Sequence, residues 1–427
     1  MTGRVAVTGS GGMLTSLRYP AYRWLWLSNL AGSAGRWSLV LVLSAQILAL
    51  THSSFWVGAA LFATQGPVIL LAPLSGWMAD RFDRRMLNAA SAALSAVATG
   101  LFAALSATGR LNLLLAMCLA VLYGVSFVLQ MTLRSTLVPS LVAPGDLLNA
   151  VSLSQVGTQG AEFLGPALTT PFLVAGGPAV AWIVCTVLYV SAAILVLPIG
   201  PARAERGGLA QEGGMRQSFR YFLVRPLVLA TICAVALHCS LTMSYQGMLP
   251  MFVSNDLNAT SSVYGALLTS IGLGAVVGSL LLARFSAPRY RPPIFIVSLL
   301  GSGLSLTTLA ISSSGPVAMA MGFLTGATQA VFMSMALALI QSAVDNRYRG
   351  RATSVYQLIT LTPMALIGWG MGGLADVVEP RPVMLVSGLA FVIAMSIFGL
   401  LSPPLRGLLG PGAWQGSATA MPPEAAG

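Results

Sequence analysis

The sequence predicts an all-α integral membrane protein, with twelve transmembrane helices in two pseudo-symmetric six-helix bundles. Three observations predict it: the composition, the length of the apolar runs, and the one-sided distribution of arginine. Of 427 residues, 56% are hydrophobic and only 8% charged, and the mean hydropathy is +0.82. A soluble domain carries about 25% charged residues, so this chain lacks the means to clothe a water-facing surface. That excludes a cytosolic enzyme, a secreted disulfide scaffold and a disordered regulator. The apolar runs approach the roughly 20 residues that a helix needs to cross a bilayer. Barrel strands would instead alternate over about 10 residues.

The elements follow in order. Residues 1–23 form a polar tail with Arg4, Arg18 and Arg23, expected to be cytoplasmic. The first apolar run, 24–50, exceeds a signal-peptide core and reads as a retained helix. Spans at 56–76, 87–107, 111–133, 150–174 and 179–199 complete a first bundle over 24–199. A Gly- and Arg-rich linker, 200–226, divides the chain. The second bundle, 227–402, holds spans at 227–247, 262–283, 294–312, 316–340, 354–375 and 382–402, before a tail at 403–427. The halves resemble each other: at one fixed offset Gly124, Met131, Val142, Ala150, Ser152 and Gln155 fall on Gly326, Met333, Val344, Ala352, Ser354 and Gln357. Parallel repeats of this kind are one architecture for alternating access.

All 22 basic residues are arginine. Nineteen of them, including Arg81, Arg84, Arg85, Arg134, the linker set and Arg284, Arg289, Arg291, Arg347, Arg349 and Arg351, fall on one side of the predicted topology. Arg110 and Arg381 fall on the other, and Arg36 lies inside the first span. Arginine-rich loops face the cytoplasm, so both termini and the linker are expected there, in a multi-pass cell (plasma or inner) membrane protein. The net charge of +11 is then a topology signal, and no nucleic-acid partner is needed to explain it. The four cysteines, Cys118, Cys185, Cys233 and Cys239, lie in apolar runs without metal-ligand spacing and read as packed thiols. No metal and no cofactor are expected.

The segment after the second span reads Gly76-Trp77-Met78-Ala79-Asp80-Arg81-Phe82-Asp83-Arg84-Arg85. It resembles the G-x-L-A-D-R-x-G-R-R loop motif of the major facilitator superfamily, with Met78 for Leu and Asp83 for the second Gly. The Asp-Arg-Phe-Asp-Arg-Arg form, Arg349-Gly350-Arg351 with Ser354 and Tyr356, and Leu249-Pro250 with Phe252 are similar to the branch of the enterobactin exporter and macrolide efflux proteins. The resemblance covers 15–405 and implies the major facilitator fold. It also implies that Asp80 meets the N-terminus of the eleventh helix, where an anion gains about 0.3–1 kcal/mol. Contacts of Asp80 and Asp83 with Arg347, Arg349 and Arg351 would then join the halves on the cytoplasmic side in the outward-open state. A charged loop obeying the positive-inside rule alone is the alternative.

Charges near a bilayer centre cost roughly 2.5–3.5 kcal/mol on insertion scales, so each one calls for a reason. Arg36 and Glu162 lie mid-span. Polar residues recur at helical spacing beside them: Asn29, Ser33 and Arg36; Ser152, Gln155, Gln159 and Glu162; and His238, Thr242 and Tyr245. Three polar faces predict a central hydrated cavity. Glu162 is the candidate proton carrier, and burial and an adjacent Arg36 act on its charge in opposite senses. A permanent structural pair is the alternative. His238 is a second coupling candidate, since histidine titrates near neutrality; a packed, hydrogen-bonded histidine is the alternative. Pro67, Pro73 and Pro166 are expected to kink their helices.

These features favour a secondary active transporter, most simply a proton-coupled exporter of small amphiphilic molecules (drug, antibiotic or siderophore) acting as a monomer. The proton gradient is its expected energy source. An uptake transporter or facilitator of a small metabolite is the alternative. A membrane-embedded enzyme lacks its motifs here, with no HExxH and no GxSxG. A non-transporting sensor would be expected to carry an appended soluble domain.

Overall fold

The computed structural model describes residues 15–200, 225–285, 287–344 and 349–403. The described residues fold into helices and their connections, without strands. Eleven of the helices are long and apolar enough to cross a membrane. The longest of these, Asn149–Leu195, breaks at Gly177 (φ 72°, ψ −173°), a conformation essentially reserved for glycine, with Pro178 following. It therefore supplies two crossings, and the total is twelve.

In chain order these are α1 (Pro20–Thr51), α2 (Ser54–Arg81), α3 (Arg84–Ala107), α4 (Leu113–Leu141), α5 (147–176) and α6 (178–195). The second half holds α7 (Pro226–Leu241), α8 (Ser261–Arg284), α9 (Arg291–Ala310), α10 (Gly315–Ala343), α11 (Arg349–Val378) and α12 (Pro380–Leu401). Since α1 and α12 are the first and last of an even number of crossings, α1 begins and α12 ends on one side, called here the terminus side. The opposite side is the far side. Residues 1–14 and 404–427 of the tails and most of the 200–226 linker lie outside the described residues.

Each half packs on itself. In the first, Trp182 of α6 stacks on Phe102 of α3 at 4.2 Å and donates its indole N–H to Gln46 Oε1 of α1 at 2.5 Å. Equivalent glycines bring equivalent helices together. A Cβ on Gly124 of α4 would stand 2.6 Å from the Ala63 carbonyl oxygen of α2, and one on Gly326 of α10 would collide with the Ile271 carbonyl of α8. The internal repeat thus marks the same close backbone approach in both halves.

Several boundaries differ from expectation. The second span continues through the charged motif to Arg81, leaving only Phe82 and Asp83 between α2 and α3. The fourth continues past residue 133 to Leu141, so Arg134 lies within a helix rather than in a loop. A helix satisfies its own backbone hydrogen bonds and gains nothing by ending where the apolar run ends. Of the expected kinks, α2 breaks only at Gly66–Pro67, and α5 runs helically through Pro166. Cys185 and Cys239 are buried, whereas Cys118 and Cys233 are exposed.

Candidate functional site: a cavity between the halves

The two halves meet in the far-side part of the molecule. Glycines permit it. A Cβ on Gly272 of α8 would lie 2.5 Å from the Glu162 carbonyl carbon of α5, and one on Gly58 of α2 would lie 2.9 Å from Trp369 Cα of α11. Trp369 stacks on Phe62 of α2 at 5.3 Å. At the far end Asp376, in the last turns of α11, caps the N-terminus of α2. Its carboxylate accepts the Ser54 N–H at 2.5 Å, the Phe55 N–H at 3.1 Å and the Ser53 hydroxyl. The first N–H groups of a helix have no partner within it and carry its positive dipole end. One side chain of the second half thereby closes onto the first.

Towards the terminus side the halves part around a cavity of about 290 Å³. From the first half, Arg36 of α1 and Gln155, Gln159 and Glu162 of α5 line it. The second half contributes Gln246, Gln329, Met333, Tyr356, Thr360 and Met364. Gln155, toward the start of α5, is exposed. Among the described residues the formal charge of the lining sits in the first half, while the second offers neutral hydrogen-bonding groups among methionines.

Arg36 is held between aromatic faces, 4.6 Å from the Phe127 ring and 5.8 Å from that of Trp37, and its Nη2 donates to Gln65 Oε1 at 3.3 Å. Among the described residues it forms no ion pair within 4.0 Å, so Arg36 and Glu162 share the cavity without a direct bridge. Ser33 is buried and accepts a 2.8 Å hydrogen bond from Arg134 Nη1, behind the cavity wall. Asn29 is half-buried and outside the lining.

The predicted stripe on α7 does not reach the cavity, because the helix ends at Leu241. The chain then turns through a 3-10 segment, Ser244–Gly247, which rotates Tyr245 away from the phase of His238. Thr242 and Tyr245 are buried, outside the lining. His238 is completely buried in the second half, with ring centroids 4.6 Å from Phe332 and 5.5 Å from Phe391. Neither of its nitrogens has a hydrogen-bond partner among the described residues. Met243 and Gln246, beside the expected residues, line the cavity instead.

On the terminus side the charged motif is spread over two helices. Asp80 lies in the last turn of α2 and pairs with Arg84 at 3.4 Å, its own side chain 77% exposed. Arg84 also donates to the carbonyls of Ala79 (3.0 Å) and Thr136 (3.4 Å), tying α2 to α4. Asp83 caps α3 by accepting the Arg85 N–H at 2.9 Å, and Arg81 lies 5.2 Å from the Trp77 ring. A Cβ on Gly76 would meet nothing within 4 Å among the described residues. Arg347 and the side chains of Arg349 and Arg351 lie outside the described residues.

Two six-helix halves around a central polar cavity define a membrane transporter rather than an enzyme. The sequence matches the family described as transmembrane secretion effectors over residues 11–406, and the chain belongs to that family of the major facilitator superfamily. Relatives include the enterobactin exporters of Salmonella choleraesuis, 24% identical over 91% of this chain and 94% of that protein, and of Escherichia coli O139:H28, 23% identical over 91% and 93%. The chain is similar to these exporters along most of its length. Among solved structures, a bacterial homologue of the human lysosomal transporter Spinster, inward-facing and unoccupied, aligns with a TM-score of 0.69, 16% identity and coverage of 94% of this chain and 99% of that one. The nucleoside transporter NupG aligns at 0.67, with 13% identity and coverage of 88% and 99%. Both likenesses concern the fold.

Proposed function

We propose that this transporter exports small amphiphilic molecules, of the drug, antibiotic or siderophore kind, by alternating access coupled to inward proton flow. The observation that carries the reading is the central cavity, sealed on the far side by the α2–α11 and α5–α8 contacts and open toward the termini. With both termini cytoplasmic, as the arginine distribution indicates, this conformation of a plasma or inner membrane protein loads cargo from the cell interior. The methionines of the second half supply an adaptable apolar wall, and the glutamines and Arg36 orient the polar end of the cargo. Glu162 is the proton carrier, since among the described residues it is the one carboxylate lining the cavity. Asp80 and Asp83 form the cytoplasmic gate with Arg347, Arg349 and Arg351, engaged when the protein opens outward. The unit of function is the monomer, and the proton gradient replaces any cofactor.

The test is proton release from acid-loaded inverted vesicles challenged with amphiphilic drugs and siderophores, enterobactin first. Substrate-dependent collapse of the gradient in wild type and its loss in Glu162→Gln are the expected results. Equal collapse in both would leave export standing and remove Glu162 from coupling. Substrate accumulation without any proton movement would refute the coupling.

A further inference from the structure

Outside the central cavity, an apolar groove of about 370 Å³ opens on the outer surface of the second half, between α8, α9 and α10. Leu281, Phe285, Ile294, Val297 and Val331 are among its walls, and Val297 is 68% exposed. The surface is a lipid-facing one, so a linear hydrocarbon chain is the natural filler. Where the groove reaches the terminus side, the residues that form its end alternate with arginines. Arg284 precedes Phe285, and Arg291 begins α9 just before Pro293 and Ile294, with Arg289 on the turn between them.

The equivalent turn of the first half differs in one respect that matters. There Asp80 and Asp83 accompany Arg81, Arg84 and Arg85, and Arg84 is paired internally with Asp80. The turn at 284–293 has three arginines and no acidic residue. Arg284, ending α8, and Arg289, in the turn after it, are exposed, and Arg289 is steadied over the Tyr290 ring at 4.6 Å. The repeat has thus kept the cations and lost the anions, directly beside a slot for an acyl chain.

We propose that this groove binds an anionic phospholipid, with one acyl chain between α8, α9 and α10 and the headgroup phosphate against Arg284 and Arg289. Arginines at headgroup level attract anionic lipid, and a seated chain confines the headgroup where both act. The site is separate from the transport cavity and faces the bilayer.

Native mass spectrometry of the full-length protein with dioleoylphosphatidylglycerol or dioleoylphosphatidylcholine tests the assignment. Wild type should retain the anionic lipid on the order of tenfold better. Arg284→Gln with Arg289→Gln should lose that preference, and Arg110→Gln, on the far side, should keep it. Val297→Trp, which fills the groove without touching an arginine, should lower retention of the anionic lipid. Equal retention of both lipids by wild type would overturn the site, as would an unchanged preference in the double variant. Displacement of the lipid by glycerol phosphate alone would reduce the site to a phosphate contact and overturn the role of the groove.

Discussion

The two ends of the α2–α11 pair present the same chemistry in opposite states. On the far side Asp376, near the end of α11, sits on the first N–H groups of α2, and glycines let the backbones touch. On the terminus side Asp80, near the end of α2, is 77% exposed and paired within its own half to Arg84, while Gly76 has no close neighbour among the described residues. Each helix therefore ends in an aspartate suited to capping the start of the other. Among the described residues only the Asp376 cap is made. Under the alternating access proposed above, the halves rock so that one cap replaces the other. The difference between the two ends is then a reading of the conformational state rather than of two unrelated loops.

The seam is the place to break this comparison hardest. Gly272→Val puts atoms where the α5 backbone runs, 2.5 Å from the position of the first added carbon. Transport should fall to background with the protein still inserted, and a cysteine at Thr170, beside Gly265 on the same seam, should become reactive to far-side reagents. Normal transport in that variant would mean that α5 and α8 never close as seen here.

Asp376→Asn comes next. Hydrogen bonds to a charged acceptor contribute about 1.5–3 kcal/mol against about 0.5–1.5 for neutral ones, so the far-side closure should weaken several-fold. Spin labels on Leu50 and Val377, both exposed and outside the contact itself, would report it as a broader far-side distance distribution. An unchanged distribution would remove Asp376 from the closure. Asp80→Asn should act in the opposite sense and more weakly, because its present partner is a solvent-exposed pair. It should slow cycling while leaving insertion intact, and combining it with Asp376→Asn should restore part of the balance. Wild-type transport by Asp80→Asn alone would sink the terminus-side gate.

Much of this was legible in the sequence, though unevenly. Twelve apolar runs gave the crossings because the bilayer sets a length that composition can meet or miss. The α5 stripe survived as a cavity face, since α5 is helical from Gln155 through Glu162 and spacing then fixes direction. The α7 stripe failed for the converse reason: the helix stops before Thr242, and periodicity cannot be counted across a 3-10 turn. Arg134 was misread because a cation at the end of an apolar run looks the same in a loop as in a helix packed on Ser33. The Asp376 cap joins residues 322 positions apart from Ser54, and no local pattern announces it. Gln329 escaped notice as well. Its role rests on donating to the Thr242 carbonyl at 2.6 Å, at the point where α7 breaks.

A last, smaller effect separates closure between the halves from stability within one. Asp256 lies on the far side but inside the second half, 3.2 Å from Arg381, which also donates to the carbonyls of Asp256 and Ser312 at 3.1 Å each. Its side chain is 9% exposed, and its buried Oδ2 accepts no hydrogen bond from the described residues. Burial therefore raises its pKa above the ordinary aspartate value, although Arg381 pulls the other way. The native state holds this proton more tightly than the unfolded chain does. The resulting stabilisation is fully present below the unfolded pKa of about 3.9 and is lost as pH rises through the higher native value. Asp256→Asn removes that dependence. The thermal midpoint of wild type relative to the variant should accordingly fall as the pH is raised from about 4, with the far-side distance distribution unchanged at every pH. A relative midpoint independent of pH would show that Arg381 fully offsets the burial. A shifted distribution would mean that Asp256 takes part in the closure that Asp376 makes.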